Sequence, residues 1–111
     1  MLNRREKRRY VAVMYNESNL YRPFQLHELI VRRFEELFGA LHCEMAMLRR
    51  YDSDFENILL LGCKLDYLDL FLVSLSLTQP SLVVVRLSGT LKKLRKNVSS
   101  LQIRKIKNIR N

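Results

Sequence analysis

The sequence predicts an α+β domain. One antiparallel sheet carries packed helices in the order β-α-β-β-α-β, and a basic helix follows. Three observations predict it. Residues 10–15 (YVAVMY) are apolar at both parities, with Tyr10, Ala12 and Met14 on one side and Val11, Val13 and Tyr15 on the other. That is the pattern of a central strand covered on both faces. Between residues 24 and 38, Leu26, Leu29, Ile30, Phe34, Leu37 and Phe38 recur at three and four, and Gly39 follows as a stop. This spacing is that of an amphipathic helix of about four turns. Residues 84–97 (VVRLSGTLKKLRKN) join an aliphatic strand to a basic helix through a three-residue turn.

The remaining elements fall between these. Residues 1–9 form a basic arm, residues 10–98 a single domain, and residues 99–111 either more helix or a basic tail that orders on binding. Residues 16–23 connect the first strand to the first helix. Residues 41–51 are expected as a strand with Cys43, Met45 and Met47 on one face. Residues 52–57 are a charged turn, and residues 58–63 a second strand paired with it as a hairpin. That pairing would bring Cys43 and Cys63 nearly opposite, as packed free thiols or as a redox clip. Residues 65–77 read as a helix with Leu68, Leu72 and Leu75 on one side. Leucine crowds its polar face, so a partner should cover it and the isolated chain should be poorly soluble. Residues 79–81 turn into a strand at 82–87, whose Val83, Val84, Val85 and Leu87 suit a largely buried position. Ser88-Gly89-Thr90 then supplies a tight turn and a helix N-cap. After it Leu91, Leu94 and Val98 face inward, Lys92, Lys93 and Lys96 fan over the opposite side, and Arg95 lies on the flank.

The 111 residues carry a net charge of +9, unevenly placed. The first ten residues carry +4 and residues 86–111 carry +9 with no acid among them, while residues 11–85 carry −4. Basic ends around an acidic middle form an electrostatic footprint for a polyanion. Membrane and secretion readings fail: no apolar run follows the basic N-terminus, and Asp66, Asp69 and Pro80 interrupt the most apolar stretch. Two cysteines make neither a disulfide framework nor a zinc motif, and a reducing compartment is the default.

No catalytic or metal-binding constellation is expected. With glycines at 39, 62 and 89 alone, there is no nucleotide-phosphate loop. Asp52, Asp54 and Glu56 imitate a cation loop without its central glycine and distal glutamate, and read as a solvated hairpin turn. His27, expected on the exposed side of the first helix, and His42, expected beside a strand, have no adjacent nucleophile. The helix after Thr90 is the better candidate. Free first-turn amides, the positive end of a helix dipole and a cluster of cations together suit a phosphate. The same stretch also reads as a capped surface helix with solvated lysines. RNA-recognition-motif domains share the element order, but their aromatic signature is missing, so RNA contact is expected through phosphates and shape.

Four motifs carry a family resemblance: Lys7-Arg8-Arg9-Tyr10-Val11; Phe38-Gly39; the run from Ile58 to Cys63 followed by Lys64-Leu65-Asp66-Tyr67; and Arg86-Leu87-Ser88-Gly89-Thr90-Leu91-Lys92-Lys93. In this order they resemble the Pop-five/Rpp-fourteen family of ribonuclease P and RNase MRP protein subunits, and Ser88-Gly89-Thr90 favours the Pop-five branch. Gly62 stands where the family usually has arginine, and Leu65 where it has a polar residue.

The resemblance implies a ferredoxin-like (RRM-like) α/β sandwich and a non-catalytic RNA-binding subunit. Such a subunit supports the catalytic RNA in removing 5′ leaders from precursor tRNA. Its implied partners are ribonuclease P (or MRP) RNA, an Rpp-thirty type subunit and other ribonuclease P proteins, and precursor tRNA in the complex, with no membrane. No cofactor is bound by the chain itself, Mg²⁺ being expected at the RNA. The expected compartment is the nucleus, with its nucleolus, in a eukaryote and the cytoplasm in an archaeon. The expected RNA-binding residues are Arg8, Arg9, Tyr10, Arg86, Ser88, Gly89, Thr90, Lys92, Lys93, Arg95 and Lys96. Two readings compete: another structural RNA-binding protein, such as a ribosomal one, and a small metal-dependent nuclease, for which the Asp52 turn alone offers carboxylates.

Overall fold

A computed structural model describes residues 7–16, 21–78 and 82–109, with side chains as far as Leu101. The chain runs through β1 (Arg8–Tyr15), α1 (Pro23–Phe38), α2 (Ala40–Ala46), β2 (Arg49–Tyr51) and β3 (Ile58–Lys64). A single 3₁₀ turn, Leu65–Tyr67, then leads into α3 (Leu68–Ser76), followed by β4 (Leu82–Ser88) and α4 (Leu91–Ile109). The sheet has the order β2-β3-β1-β4, and every neighbouring pair is antiparallel. This is the arrangement of a ferredoxin-like α+β fold. Among the described residues no helix is long and apolar enough to cross a membrane.

The two parities of β1 and β3 divide the core. Val11, Val13, Leu59, Leu61 and Cys63 face Leu26, Ile30 and Phe34 of α1, Ala46 of α2, and Phe71 and Leu75 of α3. Ala12, Ile58 and Leu60 point the other way and pack on Leu94 and Val98 of α4, with Tyr10, Tyr51, Phe55, Val85 and Leu91 around them. The centre of the sheet is therefore covered on both faces, as the alternation in residues 10–15 requires. Leu94 and Val98 are fully buried, each contributing about 1.5–3 kcal/mol of apolar burial. They hold α4 across the sheet face that an RNA-recognition motif would leave open for bases.

Local signals set the helix ends. Pro23 opens α1, the Gln25 side chain accepts the Arg22 N–H at 2.8 Å, and Gly39, at φ 93°, ends the helix. Positive φ at this glycine costs nothing sterically, and it lets the chain turn directly into α2.

Two expectations give way here. Residues 40–46 are helical, and the strand shrinks to residues 49–51. Ala40, Leu41, Glu44, Met45 and Ala46 are strong helix formers, no residue of the run is β-branched, and Met47 closes it in the left-handed region at φ 48°. The alternation of Cys43, Met45 and Met47 was thus a false period. Cys43 lies on α2 with Sγ 3.7 Å from the Val31 carbonyl, while Arg49 pairs with Gly62. The hairpin therefore does not set the two cysteines opposite one another. The second correction concerns β4. It forms an edge of the sheet, and Val83, Val84 and Leu87 are exposed instead of buried. Residues 79–81, the first six residues of the basic arm and residues 110–111 lie outside the described set. Helix α4 continues through most of the segment after residue 98.

Candidate nucleic-acid interface

The turn from β4 into α4 is built by two hydroxyls. Ser88, nearly buried and opposite Tyr10 in the ladder, accepts the Thr90 N–H on its Oγ at 3.3 Å. Thr90 Oγ1 accepts the Lys93 N–H at 3.2 Å, and its carbonyl accepts the Leu94 N–H at 3.1 Å, so Thr90 is the N-cap. The amides of Leu91 and Lys92 have no intrahelical acceptor at these positions and point out of the helix start. Lys92, Lys93 and Lys96 are exposed around them, and the first turn carries no acid. Gly89 is not in the positive-φ region. A Cβ there would lie 3.7 Å from Arg9 Nη1, in ordinary contact. What Gly89 provides is a bare backbone beside the Arg9 guanidinium.

The ladder brings the ends of the chain together. Arg8 stands opposite Lys64, Arg9 opposite Cys63, Tyr10 opposite both Gly62 and Ser88, and Arg49 opposite Gly62. The starts of β1 and β2, the ends of β3 and β4 and the start of α4 therefore share one end of the sheet. Arg9, Ser88, Gly89, Thr90, Lys92 and Lys93 collect there, with Lys96 one helical turn on.

Four expected residues are placed otherwise. Arg8 turns inward, donating from Nη2 to the Met47 carbonyl at 2.9 Å and to Tyr51 Oη at 3.4 Å, with Nε and Nη1 shut off from solvent. It ties the end of α2 and strand β2 to β1. Arg86 is exposed on the sheet edge, with Nη1 donating to the Val85 carbonyl at 2.7 Å. Arg95 points along the sheet to the hairpin loop, where Nη2 donates to the Asp52 carbonyl at 3.0 Å. Tyr10 meets Tyr51 edge-to-face with ring centroids 5.5 Å apart.

The same end also holds Arg49 and Lys64, which sequence reasoning passed over because both sit in the acidic middle of the chain. The hairpin register was the signal that could have found them. Asp52, Asp54 and Glu56 follow β2 towards the other end. The basic end is not free of acids, since Asp66 follows Lys64 in the 3₁₀ turn, but cations outnumber them there.

The histidines also move from their expected places. His27 is half-buried on α1, where burial and then the nearby Arg50 lower its pKa, against an opposing pull from Glu28. His42 lies on α2, its Nδ1 3.0 Å from Tyr67 Oη. Burial pushes the Cys63 thiol up to about 11, against the pull of Arg8. Such a thiol is a packed core group, not a nucleophile. Among the described residues no group of three or more His, Cys, Asp or Glu side chains could hold a metal ion.

No family model matches the chain, and no curated protein matches it either. Among solved structures it is similar to a chain of the cryo-EM structure of yeast ribonuclease MRP, with a TM-score of 0.60 over 98% of each chain at 8% sequence identity. At that identity what the two chains share is the fold.

Proposed function

We propose that this protein is a non-catalytic RNA-binding subunit of ribonuclease P, RNase MRP or both, of the Pop-five branch. The likeness in fold to a chain of yeast ribonuclease MRP over 98% of both chains carries the reading. The collected basic end of the sheet, from Arg9 and Arg49 to Lys92 and Lys93, supports it as a place for RNA phosphates. In this reading the capped start of α4 and the bare backbone at Gly89 meet the sugar–phosphate chain, and the lysines neutralise it. Because α4 lies over the sheet, bases have no open platform there. The phosphodiester chemistry belongs to the RNA and its Mg²⁺, and the chain positions that RNA for removal of 5′ leaders from precursor tRNA. An Rpp-thirty type subunit is the proposed protein neighbour. The compartment is the nucleolus in a eukaryotic cell and the cytoplasm in an archaeal one.

Sequencing the RNA that co-purifies with the native protein tests this. Enrichment of ribonuclease P or MRP RNA is the expected result. Ribosomal RNA in its place would move the protein to another class of ribonucleoprotein, and cleavage of precursor tRNA by the RNA-free chain would make it a nuclease.

A further inference from the structure

Strand β4 is the outer strand on its side of the sheet. Residues three apart on a regular strand point to opposite faces. Val84 and Leu87 do not, because the ladder with β1 shifts register between Ala12 and Val13. This bulge leaves Val84 opposite Val13 and Leu87 opposite Val11, both on the face that carries α1 and α3. They are 40% and 46% exposed, respectively. Helix α3 packs against β4 on that face and buries Phe71, Ser74 and Leu75, while Val73 and, just past the helix end, Leu77 are each 47% exposed on its outer side. Among the described residues no strand pairs with the outer side of β4, and Val84 and Leu87 stand exposed along it. Single exposed aliphatics need no account, but Val84 and Leu87 beside a strand edge that no described residue pairs with mark a surface suited to another protein.

Charge decides between occupants. RNA phosphates gain nothing from exposed aliphatic side chains. A second copy would set one net charge of +9 against another and bring the two Arg86 side chains together. Arg86 is exposed in the middle of this edge, opposite Ala12 and therefore on the face that carries α4. We propose that the edge of β4 docks an extended, acidic segment of a partner protein, laid beside β4 as a further strand. Its apolar residues cover Val84 and Leu87 on one face, and a carboxylate meets Arg86 on the other. This deepens the partner half of the proposed function and rests on that reading only for the particle in which it is tested.

The experiment places p-benzoylphenylalanine at the exposed position of Val84 in the full chain, expressed in its own cells, and irradiates the native complex. The expected adduct resists ribonuclease, is lost to protease, and maps to an acidic segment of a different polypeptide. Arg86→Glu should lower its yield about tenfold, while Arg86→Lys keeps it. A ribonuclease-sensitive adduct, an adduct to a second copy, no adduct, or a yield indifferent to Arg86→Glu would each overturn the proposal. Failure of the ribonucleoprotein reading looks different: the protein adduct persists while neither ribonuclease P nor MRP RNA co-purifies.

Discussion

At His27 the environment of one side chain makes stability depend on pH. Burial on α1 and the positive Arg50 of β2 hold its pKa below the ordinary 6.5, while Glu28 on its own helix opposes them. As pH falls through 6.5 the unfolded chain takes up a proton that the folded protein still refuses. The unfolded state then binds more protons, and folding loses free energy. The contribution is full above about 6.5 and fades as pH falls towards the lower folded value. The thermal midpoint should therefore drop between about pH 7 and pH 5, and His27→Gln should flatten that part of the profile. Equal slopes for parent and variant would show that other groups set the acid limb. None of this was legible in the sequence. Position 27 lies near the border of the apolar stripe of α1, and its neighbour Arg50 is brought to it by the fold of a strand 23 residues away.

Among the elements, the β2–β3 pair shows how a small residue can set a larger one. A Cβ on Gly62 would stand 2.8 Å from Tyr51 Cε2 and 3.3 Å from Arg8 Nη2. The Tyr51 ring cannot swing aside freely, because Tyr10 meets its edge and Arg8 reaches its hydroxyl. Gly62→Ala should destabilise the fold by about 1–3 kcal/mol, as overpacking does. Combining it with Tyr51→Ala should cost less than the sum of the two single changes. Chemical denaturation of the four proteins in that cycle measures this, and strict additivity would mean that the ring moves away without cost. The glycine was visible in the sequence as a departure from the pattern that the chain otherwise resembles. Its reason was not, since Arg8 and Tyr51 reach it from two different strands.

At the scale of the whole molecule, the proposed RNA surface can be separated from the packing that supports it. Replacing Lys92, Lys93 and Lys96 with Gln leaves Leu94 and Val98 in place beneath α4. Stability should change by at most about 0.5 kcal/mol. RNA affinity should fall, and the slope of log K against log salt should become shallower by up to about two units. A salt titration of parent and variant checks this, and identical slopes would reduce the lysines to a solvated face. The sequence by itself determined the central strand, α1 with its glycine stop, the hairpin turn, the Thr90 cap and the inward face of α4. Each of these follows from periodicity or from a bond between residues a few positions apart. Tertiary structure decided the rest. It made β4 an edge although its composition suits a core, because edge or centre depends on strand order and not on the strand's own residues. It turned Arg8 inward and sent Arg95 to Asp52, while drawing Arg49 and Lys64 to the basic end. Which cations stand together is a matter of register between distant strands, and one-dimensional charge counting does not contain it.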